Sequence, residues 1–188
     1  MVLFVYVDNS NVWIEGRRAS AVANGLAPSF DDSFAQNIVD PNWNYDFGRL
    51  YELACPGDVQ IGRSILLGSR PPANDSLWQR ARDADFEVEV YDRNAANKEK
   101  QVDTGLATKL LADSYEHMQA RVPDVMAVLV AGDGDYVPPI RDLQRRGIKV
   151  RVVFWPHATS RELKEVADEF VGLDEHLPFL TLEAGTAT

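Results

Sequence analysis

Four aspartates carry the chemistry that this sequence can offer. Two lie in the stretch VLVAGDGDYVPPIRDLQRRG at 128–147, where Gly132, Asp133, Gly134 and Asp135 join a short apolar run, 125–130, to a helix expected over 138–146. The run reads as a strand buried on both faces, and prolines 138 and 139 suit a helix's first turn. Asp8 ends a second apolar run, MVLFVYV at 1–7, and is followed by Asn9, Ser10 and Asn11. Asp103 precedes Leu106 by three residues and Leu110 by seven, which puts it on the apolar side of a helix expected over 102–118. Three of the acids also have a plainer use: Asp133 could make the turn, Asp135 could cap the following helix, and Asp103 could be an N-cap. Repetition of acids at strand ends and a helix start weighs against capping alone. Carboxylates gathered in one place repel until a cation neutralises them, and an all-oxygen set suits Mg²⁺ or Mn²⁺.

The elements that must position these acids alternate along the chain. Strands are expected at 1–7, 59–68, 86–91, 125–130 and 149–155, and helices at 11–23, 45–54, 75–84, 102–118, 138–146 and 160–171. That pattern predicts an α/β fold whose mostly parallel sheet is covered by helices on both faces, with strand order 3-2-1-4-5. In this order strands one and four are neighbours from which the chain departs in opposite directions. Asp8, Asp133 and Asp135 then meet at the switch-point crevice, joined by Asp103 from the helix that feeds strand four. FEVEVY at 86–91 alternates and suits an edge. The stretch 24–44 is loop-rich, but Phe30, Phe34, Trp43 and Tyr45 suggest an excursion packed on the body. Residues 1–180 are expected to form one domain with that insertion, and 181–188 a tail.

Composition narrows the partners. The 188-residue chain has a formal net charge of −10, so it cannot blanket a long duplex with cations, and any nucleic-acid contact must be local. Lys98, Lys100, Arg17 and Arg18 flank the acidic strand ends and are the candidates for phosphate contacts; a solvated basic face is the alternative use of the same residues. Trp13 could stack on a base. The three histidines, 117, 157 and 176, show no metal-ligand spacing. One cysteine, Cys55, rules out an intramolecular disulfide framework, and with an amino terminus that reads as a strand it predicts a cytoplasmic protein. No apolar run spans a membrane.

Several spaced motifs carry a resemblance. VDNSN at 7–11, KEKQVDTGLA at 98–107, AGDGDYVPPIRDLQRRGIKV at 131–150 and ATSRELKEVADEFVGL at 158–173 together resemble the NYN domain family, the LabA-like branch of the PIN-like nucleases. The resemblance covers nearly the whole chain, least of all 24–44. It implies a PIN-like three-layer fold and a metal-dependent ribonuclease site. Asp8 takes the first metal-ligand position with Asn11 beside it as a substrate contact, Asp103 the acid of the VD motif, and Asp133 and Asp135 the acids of the GDxD motif. Relatives often carry Ser at Ala131, Phe at Tyr136 and a further acid at Lys109. The implied reaction is endonucleolytic hydrolysis of an RNA phosphodiester by water activated at one or two Mg²⁺ or Mn²⁺ ions. RNA, single-stranded, is the expected partner, with no membrane partner and with a homodimer left open. A rival reading keeps the acids as structural parts of an RNA- or protein-binding module. A phosphatase is disfavoured, because the chain lacks a P-loop and GDGD is not followed by threonine.

Overall fold

The computed structural model describes residues 1–57, 59–69, 75–91, 100–121 and 124–183, with backbone alone at 75 and 100–103. Six parallel strands form one sheet in the order β3-β2-β1-β4-β5-β6, flanked by helices. The strands are β1 Val2–Asp8, β2 Gln60–Ser69, β3 Glu87–Tyr91, β4 Val125–Val130, β5 Lys149–Phe154 and β6 Glu169–Gly172. The two central strands carry the continuous apolar runs, and Leu3, Val5, Val7, Val128, Leu129 and Val130 are all fully buried. Being covered on both faces, such strands need no alternation of apolar and polar residues. β1 pairs with β4 as Val7↔Val130 and with β2 as Asp8↔Leu67, so Asp8 stands at the carboxyl end of the sheet's centre. β3 lies at an edge, as its alternation predicts.

The helices are α1 Asn9–Ala23, α2 Phe30–Gln36, α3 Phe47–Ala54, α4 Asp75–Asp83, α5 Lys100–Gln119, α6 Val137–Arg145, α7 Arg161–Val166 and α8 Leu177–Leu180. Within the loop-rich stretch the seven-residue α2 is held by Ser29, whose Oγ accepts from the Asp32 amide and donates to its carboxylate at 2.6 Å. It ends at Asn37, which adopts the left-handed conformation. Residues 43–46 run against the chain's end: Tyr45 pairs with Thr181, and the Leu182 amide donates to the Asn44 carbonyl at 2.9 Å.

Two sequence expectations are corrected. The helix expected over 160–171 stops at Val166, because Ala167 turns extended and the Asp168 carboxylate accepts from the Val150 amide at 2.8 Å, starting β6. Leu163, Val166, Ala167 and Phe170 fall at helical spacing, and a four-residue edge strand is too short to show a period of its own. In the helix expected over 102–118, Leu106, Ala107, Leu110, Leu111 and Met118 form the apolar stripe that periodicity buries, yet Met118 is 49% exposed. The stripe below Leu106 and Leu110 is completed by Asp113 and by His117, whose ring lies 3.5 Å from that of Phe4.

Asp113 is what fixes α5 to the sheet. Its carboxylate accepts from the buried Tyr6 hydroxyl at 2.8 Å and from Arg63 at 3.0 and 3.1 Å, and Arg63 also reaches Glu87 on the edge strand. Burial first, and then the charge of Asp113, drives the Tyr6 pKa far upward, so this hydroxyl is a permanent donor. One turn earlier Lys109 pairs with Glu89 of β3 at 2.6 Å. The two ties hold the start of α5, and with it Asp103, at the edge where parallel strands end. Asp113→Ala would leave a buried hydroxyl and a half-buried guanidinium short of their partner. It is expected to cost about 3–5 kcal/mol in denaturant unfolding; a loss below about 1 kcal/mol would show that water replaces the carboxylate without penalty.

Candidate active site at the carboxyl edge of the sheet

Asp8 is 2% exposed and ends β1, where it also caps α1. One of its oxygens accepts from the Asn11 amide at 3.1 Å and the other from Asn11 Nδ2 at 2.8 Å. A buried carboxylate needs such donors, because an uncompensated charge is costly away from water. Asn11 therefore orients Asp8 as well as lying beside it. Three residues past the end of β4, Asp133 is exposed and extended, with one carboxylate oxygen accepting from the Asp135 amide at 2.9 Å. That bond starts a 3-10 turn over Gly134–Tyr136, which leads into α6. Gly132 leaves no room for a side chain: a Cβ there would lie 2.4 Å from Phe154 and 2.6 Å from the Ala158 carbonyl. The turn is thereby seated against β5, and Asp133 faces the same open cavity of about 220 Å³ as Asn11 and Glu15.

The structure brings Asn11 and Asp133 onto one cavity, with Asp8 bonded to Asn11 behind it. Asp135 is exposed on the same turn. Asp103 lies in the first turn of α5 with only its backbone described, Lys100 likewise, and Lys98 falls outside the described residues. Arg17 and Arg18 turn toward the 24–44 segment instead. Arg17 Nε donates to the Asp40 carbonyl at 2.8 Å and its guanidinium lies 4.6 Å from the Trp13 ring. Arg18 donates to the Ser33 carbonyl at 2.9 Å and to Asn37 at 3.2 Å, and lies over Phe34. Among the described residues, no three His, Cys, Asp or Glu come together as a metal cluster. The chemistry of the donor set fits a hard cation nonetheless, since what Asp8, Asp133 and Asp135 supply is carboxylate oxygen. Cys55 is buried, its thiol pushed up to about 11 by burial, so it is no nucleophile.

His157 packs behind two residues of that cavity, Glu15 and Phe34. His157 is stacked on Phe30 at 3.9 Å and lies between Glu15 and Asp174, with ion-pair separations of 3.4 and 3.7 Å. Burial works against its proton, but Asp174 and Glu15 outweigh burial and hold its pKa above the ordinary value. The folded state thus favours the charged ring. Its contribution to stability is complete below the unfolded pKa and is lost as pH rises through the folded one. Melting temperatures of wild type and His157→Gln should accordingly converge as pH is raised from about 5 to about 9; a gap that widens with pH would contradict the clasp.

A family model described as the NYN domain matches residues 4–174. The chain belongs to the NYN domain family. NYN domains are nuclease-like members of the PIN-like group, in which divalent metals are generally used. This NYN chain is also similar to a solved structure, that of a protein of unknown function from Vibrio parahaemolyticus, at 23% identity and a TM-score of 0.68 with 96% of each chain covered. That likeness shows the fold, six parallel strands flanked by helices. No curated protein matches the chain. Among the described residues, no helix is long and apolar enough to cross a membrane.

Proposed function

We propose that this NYN domain is a Mg²⁺- or Mn²⁺-dependent endoribonuclease that hydrolyses single-stranded RNA and leaves 5′-phosphate and 3′-hydroxyl ends. The observation that carries the reading is the placement of Asp8, a buried carboxylate at the end of the central strand, oriented by Asn11 on the cavity that Asp133 also lines. Asp8, Asp103, Asp133 and Asp135 would hold the cation. When bound, it supplies charge neutralisation at the phosphate and lowers the pKa of water there. The chain's own share is to fix the acids on rigid elements: Asp8 on a strand end capped into α1, Asp133 on a turn locked by Gly132, and Asp103 on a helix tied down by Asp113. Lys98 and Lys100, just before Asp103 in sequence, would meet phosphate; Arg17 is a weaker candidate and Arg18 is committed to α2. The net charge of −10 favours a flexible single strand over a stiff duplex that would meet the acidic surface around the site.

A second reading, an RNA-binding module without hydrolysis, draws support from Lys109, which pairs with Glu89 where relatives often carry an acid. The two readings part at the metal. Because a cation bound only by the native state stabilises it by mass action, millimolar Mn²⁺ is expected to raise the melting temperature of wild type and not of Asp133→Asn. Unchanged melts in both proteins would remove the cation, and with it the hydrolytic reading.

A further inference from the structure

A second cavity flanks Asp8 on the opposite side from Asp133. It lies over the carboxyl ends of β1 and β2, bounded by Asn9 and Ser10, which follow Asp8, and by Ser69, which ends β2. Its volume is about 160 Å³ and its walls are largely aromatic: Trp13, Tyr45, Phe47 and Trp78. The hydroxyl of Tyr45 donates to Asn9 Oδ1 at 2.5 Å, and burial together with the charge of Asp8 raises its pKa well above the ordinary value. The pocket therefore lies within the electrostatic reach of Asp8.

The four indole N–H groups of this chain discriminate the pocket from ordinary core. Trp13 donates to Asn44 Oδ1 at 3.1 Å, Trp43 to Thr181 Oγ1 at 2.9 Å and Trp155 to the Val12 carbonyl at 3.1 Å. Trp78, only 2% exposed, has its Nε1 buried and without a hydrogen-bond partner among the described residues. A buried donor left unpaired is costly, and Trp78 belongs to the cavity's wall. The guanidinium of Arg80, exposed and also on the pocket, has no hydrogen-bond or ion-pair partner among the described residues. The Asn9 and Asn44 side-chain oxygens are already taken by Tyr45 and Trp13, so what the two amides can still turn to a ligand are N–H donors.

We propose that this pocket is a nucleobase subsite that takes a pyrimidine of the RNA strand, uracil before cytosine. It rests on the ribonuclease reading and names the base beside the scissile phosphate. Size selects a single ring, since a cavity of about 150 Å³ accommodates benzene. Donors select carbonyl oxygens, of which uracil presents two, whereas the exocyclic amines of adenine and cytosine would face further donors. Stacking comes from Trp13, a residue of the cavity wall that is 36% exposed. Neighbouring strands lie about 4.8 Å apart, so a base over β1 and β2 and a phosphate over β1 and β4 are within one nucleotide's reach.

The test reads binding in EDTA, where the whole chain is intact and RNA is not cut. Indole N–H resonances of the ¹⁵N-labelled protein are followed during titration with a four-residue oligo(U) and a four-residue oligo(A). The Trp78 resonance should move most and saturate with oligo(U), Trp43 and Trp155 should stay in place, and oligo(A) should require about tenfold more ligand. Trp13→Ala and Arg80→Ala, both at exposed positions, should each weaken oligo(U) by about tenfold and leave oligo(A) little changed. A Trp78 resonance unmoved by oligo(U), or equal response to both strands, overturns the subsite even where metal-dependent cleavage is found. If no RNA is cut with either metal while the Trp78 response to oligo(U) holds, the ribonuclease reading fails and the base preference stands.

Discussion

Asp8→Asn is expected to lower metal-dependent RNA cleavage by roughly 10²- to 10³-fold, the scale on which one charge-stabilising group contributes to an active site. The substitution keeps an oxygen for the Asn11 amide, and Asn caps helices as well as Asp does. It also places an amide N–H₂ where Asn11 Nδ2 now donates to carboxylate at 2.8 Å, so two donors face one another. A cost of about 1–3 kcal/mol in stability should accompany the lost activity. The two effects separate by experiment, with melting curves giving the folded fraction and turnover measured at a temperature where the variant is folded. Full activity per folded molecule would reduce Asp8 to a helix cap.

The fold was legible where periodicity had room to show. Continuous apolar runs at β1 and β4 announced buried parallel strands, and the alternation in FEVEVY announced the edge at β3. β6 was hidden because its four residues follow α7 without a turn signal, and Phe170 extends the helical spacing of Leu163 and Val166. On α5 the buried face was misread at its end, since an apolar count picks Met118 and passes over Asp113 and His117. Asp113 is buried and His117 half-buried because each has a specific partner, Arg63 with Tyr6 in one case and the Phe4 ring in the other, and partners on distant strands leave no trace in local sequence.

The site was legible in part for the same reason. Acids at strand ends could be read directly, because topology alone decides which edge they reach. Which donors compensate Asp8 could not, since Asn11 bonding both of its oxygens is a local geometry that many Asp-containing turns could adopt, whereas Asp133 making its own turn was an open use of that residue in the sequence. Arg17 and Arg18 show the converse, since charge at the right place in sequence is absorbed by Asp40, Ser33 and Asn37 of the 24–44 segment. The aromatic pocket gathers α1, the 43–47 stretch and α4, which sequence separation conceals.

The most direct measurement is a time course on end-labelled single-stranded and duplex RNA, with Mg²⁺, with Mn²⁺ and with EDTA, for wild type and Asp133→Asn. Because Asp133 shares its cavity with Asn11 and the proposed oxygen set would take a cation to offset its charge, wild type should cut the single strand internally and spare the duplex. EDTA or Asp133→Asn should each lower the rate by at least about 10²-fold. Cleavage that survives both would belong to another enzyme in the preparation, and a single strand left intact by wild type under every metal would contradict hydrolysis at this edge of the sheet.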